Sequence, residues 1–129
     1  MPYFAHREDG RFYLLSAHLA WVAAGAAERL RYLPREAAPV EAAVLAGLAH
    51  DFGKYTSFFQ RYLRSGRGGP EKQHAFLSGL WAARLAEVGG LADPLRLALF
   101  LAVVRHHRGL ADLGSCLISN RQLARDWAE

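Results

Sequence analysis

The sequence predicts an all-α fold in a single domain, on three observations. Alanine and leucine dominate a chain that is 52% hydrophobic, and both residues favour helices. Apolar residues recur at three- and four-residue spacing along most of its length. Proline and glycine punctuate these stretches where helices should start or stop. With 129 residues, one core can be buried without disulfide or metal staples.

The first helix is expected over residues 12–33, ending before Pro34. A second should start near Pro39, since proline suits a first turn, and run to Asp51, where Gly53 breaks it. Ser57 with Gln60 three residues later has the form of a capping box, predicting a third helix to Arg64. Residues 65–70 (SGRGGP) read as a flexible loop. A fourth helix over 71–88 closes on Gly89-Gly90. Asp93-Pro94 opens a fifth that ends at His106-His107, and Asn120 could cap a short terminal one. No stretch is convincing as a strand, and there are no repeats or internal domain boundaries.

Composition limits the function. Cys116 is the single cysteine, which excludes an internal disulfide and fits a reducing cytoplasm. No secretory signal opens the chain. Its most apolar run, residues 95–104, includes Arg96 and falls well short of the ~20 residues that span a bilayer. A soluble, cytoplasmic protein with no membrane association is expected. The net charge of +4 suits an anionic partner. Fourteen of the sixteen basic residues are arginine, which favours forked contacts to phosphate but also follows from a GC-rich or thermophilic source.

The chemistry sits in the histidines. His50-Asp51 offers a nitrogen and a carboxylate ligand from one short segment, suited to divalent transition metals. Gly53 then lets the backbone turn, and Lys54 is placed to meet a phosphate. His18 shares a helix face with Leu14, Leu15, Trp21 and Val22 and should point inward. Ala46 and Gly47, behind His50, let another helix approach. His74 falls on the first turn of its helix. His106 and His107 follow an apolar helix whose C-terminus favours positive charge. Each alone reads best as a hydrogen-bonded core histidine; inward histidines on four helices, one beside an aspartate, favour a metal. His6 is expected at the rim, outside the ligand set. Tyr55, Phe58, Phe59 and Tyr62 read mostly as core, although one near the site could stack on a base. Arg64 and Arg67 could track a phosphate backbone.

The order His18, His50-Asp51, His74, His106-His107 resembles the HD superfamily of metal-dependent phosphohydrolases. Within it, three strings resemble the HD nuclease domain of the type I CRISPR-associated helicase-nuclease, fused or standalone. They are the opening 3–6 (YFAH) with 15–23 (LSAHLAWVA), the central 47–63 (GLAHDFGKYTSFFQRYL), and 104–110 (VRHHRGL), where Arg108 replaces a glycine. The resemblance implies a compact helical domain with two metal ions bridged by Asp51. His18 and His50 would serve the first ion, with a downstream aspartate; His74, His106 and His107 would serve the second. Asp51 and Lys54 are the catalytic candidates. Imidazole-rich ligation suits manganese, nickel, cobalt or iron. Only Asp112 and Asp126 remain beyond His107: either one of them serves as the last ligand or, as is expected, the chain is a fragment lacking its C-terminal helices and that ligand. The implied function is metal-dependent hydrolysis of single-stranded DNA in CRISPR interference. A helicase domain or subunit would feed the strand, and the RNA-guided Cascade complex would select the target. The alternatives are an HD-type nucleotide or cyclic-nucleotide phosphohydrolase, and a truncated, inactive HD domain serving as a binding module.

Overall fold

Asp9-Gly10 is where the chain first departs from the helical expectation. Both residues have positive φ, 47° and 78°, the backbone of a two-residue turn matched to the twist of antiparallel strands. They join β1 (Phe4–Glu8) to β2 (Arg11–Leu14), with Glu8 opposite Arg11, His6 opposite Tyr13, and an irregularity between Phe4 and His6. The first helix therefore begins at Leu15 and not at residue 12. The computed structural model describes residues 2–32, 40–69 and 72–108, so Cys116, Asn120 and the candidate ligands Asp112 and Asp126 lie outside the described residues.

Helices make up most of the rest: α1 (Leu15–Leu30), α2 (Val40–Ala49), α3 (Ser57–Ser65), α4 (Ala75–Val88) and α5 (Asp93–Val104), with a 3-10 turn over Phe52–Tyr55. The all-α class holds, with one small hairpin added. Thr56, not Ser57, caps α3: its side-chain oxygen accepts from the Phe59 N–H at 3.3 Å. Gln60 is thereby released from the expected capping box. α4 starts after His74 and not at residue 71, and Gly66 closes α3 with a left-handed φ of 67°. Ala92 precedes α5 with no side-chain cap.

Glycine sets two of the helix contacts. A Cβ on Gly47 would come within 2.5 Å of the Ala23 Cα, so α1 and α2 approach as closely as backbones allow. At Gly79 a Cβ would strike Val104, which seats α5 against α4. Ala49, Ala82, Ala86, Leu99 and Val103 form the main core, with Leu45, Ala46 and Leu91 packed around it. A second cluster of Ala5, Leu15 and Leu19, with Tyr55 against it, fastens the hairpin to α1 and the 3-10 turn. No helix among the described residues is long and apolar enough to cross a membrane.

Candidate metal centre

Asp51 is 2% exposed and lies at the junction of α2 and the 3-10 turn. A carboxylate so buried requires compensation, and five side chains supply it. Oδ2 lies 3.2 Å from His18 Nε2, 3.3 Å from His50 Nε2 and 2.8 Å from Lys54 Nζ. Oδ1 lies 2.8 Å from His74 Nε2 and 3.3 Å from His106 Nε2. His107 joins through its Nε2, 3.1 Å from that of His74. All six residues expected as ligands thus meet, in two groups that share Asp51: His18, His50 and Asp51; and Asp51, His74, His106 and His107. Within each group the donor atoms lie within 4.8 Å of one another.

The backbone aims these rings. His50 Nδ1 donates to Gly47 O at 2.9 Å, His74 Nδ1 to Lys72 O at 3.0 Å, and His106 Nδ1 to Val103 O at 2.6 Å. A carbonyl only accepts, so each Nδ1 carries a proton and each ring turns its Nε2 towards the carboxylate. His74 is held further. Ser78, fully buried, accepts from the Gly53 N–H at 2.9 Å and donates to His74 O at 2.8 Å. A Cβ on Gly53 would lie 2.5 Å from that same carbonyl. Gly53 thus permits the 3-10 turn to pack directly on the segment carrying His74, a role distinct from the expected helix break.

The donor set fits a metal. The Nε2 atoms of four imidazoles converge on one carboxylate, and two Nε2 pairs, His18–His50 at 3.2 Å and His74–His107, face each other. Two imidazole nitrogens approach this closely only with a proton or a cation between them. Among the described residues, Asp51 Oδ1 and His106 Nε2 are buried atoms without a hydrogen-bond partner, although they lie 3.3 Å apart, as two ligands of a shared cation would. Burial pushes the Asp51 carboxyl up, but His106, His50, His74 and Lys54 override it and hold the group far below the usual carboxylate range. Burial lowers His18, only partly offset by Asp51, and lowers His107, with His106 and His74 adding to the effect. His50 is also penalised by burial, yet its bond to Asp51 carries it above its ordinary value. An ionised carboxylate and neutral imidazoles are the forms that bind divalent metal.

Lys54 is not where a substrate cation was expected. It is 8% exposed, and its ammonium donates to Ala5 O at 3.1 Å as well as meeting Asp51. His6 is half-buried, stacked on Tyr13 and set steeply against the His18 ring, outside both donor groups. Of the aromatics after Lys54, Phe59 is buried against His74, and Phe58 is exposed. Arg64 lies with Arg61 along a separate groove beside Tyr3. Sequence reasoning missed Ser78 and the long-range use of Gln60, whose side chain bonds Phe4 and Lys54 O.

The family model described as HD domain matches residues 15–126. The CRISPR-associated nuclease/helicase Cas3 of Haloferax volcanii is 41% identical over 70 residues, covering 53% of this chain and 8% of that protein. The chain therefore corresponds to a small part of that relative's length. No solved structure matches. With every donor described above inside the matched span, the chain belongs to the HD domain family and carries the donor set of a metal-dependent hydrolase.

Proposed function

We propose that this chain is a nuclease domain that hydrolyses phosphodiester bonds of single-stranded DNA with two divalent ions. The observation that carries the reading is the sharing of Asp51 by two donor groups, one through each carboxylate oxygen. Divalent ions held there would supply Lewis-acid stabilisation of charge on a phosphoryl group and activation of water. His18, His50, His74, His106 and His107 would hold the ions, with Asp51 contributing to both groups. The backbone carbonyls of Gly47, Lys72 and Val103 keep three of the rings oriented. His107 is exposed and the His18 side chain is 24% exposed, so solvent and a strand can reach both groups. Nitrogen-rich ligation favours manganese, nickel, cobalt or iron over magnesium.

Similarity to a nuclease/helicase supports a nucleic-acid substrate, and net charge +4 supports a polyanion. A helicase domain or subunit would deliver the strand, with the Cascade complex choosing the target, in the cytoplasm. The test is to incubate the chain with manganese and single-stranded DNA, duplex DNA, or mononucleotides. Cleavage of the single strand, blocked by chelator, is expected, with blunt duplex resistant. Turnover of nucleotides alone would move the assignment to a nucleotide phosphohydrolase.

A further inference from the structure

The two carboxylate oxygens of Asp51 differ in one respect that the donor count does not reveal. Oδ2 carries the Lys54 ammonium at 2.8 Å in addition to His18 and His50. Oδ1 meets His74 and His106 and no lysine or arginine among the described residues. The ammonium is fixed. It donates to Ala5 O on β1 at 3.1 Å and lies 5.3 Å from the centre of the Phe59 ring. The Lys54 carbonyl accepts from Gln60 Nε2 at 2.8 Å, and Gln60 is itself bonded to Phe4 on both sides. Swinging Lys54 out to solvent would leave the Ala5 carbonyl and a buried carboxylate oxygen without their donor.

We propose that Lys54 is a resident counter-cation that makes the two halves of the centre unequal. A divalent ion loads first and more tightly on Asp51 Oδ1, His74, His106 and His107. The His18–His50 half binds its ion weakly while the ammonium stays on Oδ2. Two effects act together. An oxygen already engaged by an ammonium is a poorer donor, and like charges a few ångströms apart repel strongly where water is largely excluded. This inference rests on the metal-centre reading above and adds to it a loading order and the residue that sets it. Lys54 is accordingly a positioning residue, acting through Asp51 and not on the substrate.

The test is a manganese titration of the full chain, followed by calorimetry and by electron paramagnetic resonance, which separates isolated from spin-coupled ions. The wild type should bind one ion tightly and a second at least about tenfold more weakly. Unequal sites alone would also follow from three imidazoles against two, so Lys54→Met is the deciding variant. It should tighten the second ion and bring the coupled signal to lower manganese concentration, whereas Lys54→Arg should preserve the gap. An unchanged ratio in a folded Lys54→Met protein, or equal sites in the wild type, overturns the proposal. Should Lys54→Met not fold, as judged by circular dichroism, Lys54→Gln, which keeps a donor for the Ala5 carbonyl, takes its place with the same expectation. His18→Ala and His107→Ala identify the halves: loss of only the weak ion in the first and of the tight ion in the second supports the loading order, and the reverse overturns it. Absence of manganese binding in every variant and in the wild type would overturn the metal-centre reading itself, whereas binding in the wrong order would overturn only this inference.

Discussion

The two halves of the centre deliver their histidines by different means. His18 projects from within α1 and His50 follows directly on α2, two helices locked together by the Gly47–Ala23 approach. His74 immediately precedes α4, and His106 and His107 lie in the turn after α5. The first half is thus positioned mainly by helix packing, with one helix-end bond from His50 to Gly47 O, and the second by hydrogen bonds at helix ends. Helix packing tolerates little change in volume, and a terminal hydrogen-bond network tolerates little change in donors and acceptors. Each half should therefore fail under a different kind of substitution.

Asp51→Ala should produce the largest effect, because it removes the ligand common to both. Losing an outer-shell partner typically costs ~10–100-fold in metal affinity or activity, so loss of this bridge should exceed about a hundredfold, with the helical circular dichroism spectrum retained. Residual wild-type cleavage in this variant would dissolve the distinction between halves altogether. Ser78→Ala comes next and should act on the second half alone. It leaves the buried Gly53 N–H without an acceptor, costing about 1–3 kcal/mol in denaturant unfolding, and it loosens His74. Manganese affinity should fall at the His74 half while His18→Ala remains additive with it. Gly47→Ala should injure the first half, since the added methyl strikes the α1 backbone. A loss of about 1–3 kcal/mol is expected for such overpacking, read as a lower thermal midpoint. The smallest effect is a titration order in the metal-free chain, followed by imidazole proton NMR. His50 sits above its ordinary value and so takes up a proton first as pH falls; His18 and His107, both lowered, follow at lower pH. Earlier protonation of His18 than His50 would contradict the described environment of Asp51.

Most of the donor cluster was legible because its members left local marks. His18 shares helical spacing with apolar neighbours, His50 adjoins Asp51, and His106-His107 follow an apolar helix. The hairpin also had a mark, Asp9-Gly10, but Phe12, Tyr13 and Leu14 run unbroken into the apolar face of α1. Their period does not distinguish a short strand from a helix's first turn. Thr56 and Ser57 are adjacent capping residues, and only the backbone reveals which one is extended. Ser78 and Gln60 were beyond reach for a different reason. A serine inside a helix carries no sign of which carbonyl it will meet, and Gln60 bonds Phe4 across 56 positions of chain. Lys54 was expected to face a phosphate, but its ammonium lies on Asp51 and Ala5 O, and sequence order does not show the direction of a long side chain.

The bond between Gln60 and Phe4 has a consequence for association. Its amide accepts from the Phe4 N–H at 3.0 Å and donates to the Phe4 carbonyl at 2.8 Å, the same pair of bonds a neighbouring strand would make. In a two-stranded sheet both outer edges are potential templates for pairing with another chain. Here the start of β1 is closed by a side chain, and replacing Gln60 with alanine would open it to intermolecular strand addition, visible as concentration-dependent β-rich aggregation.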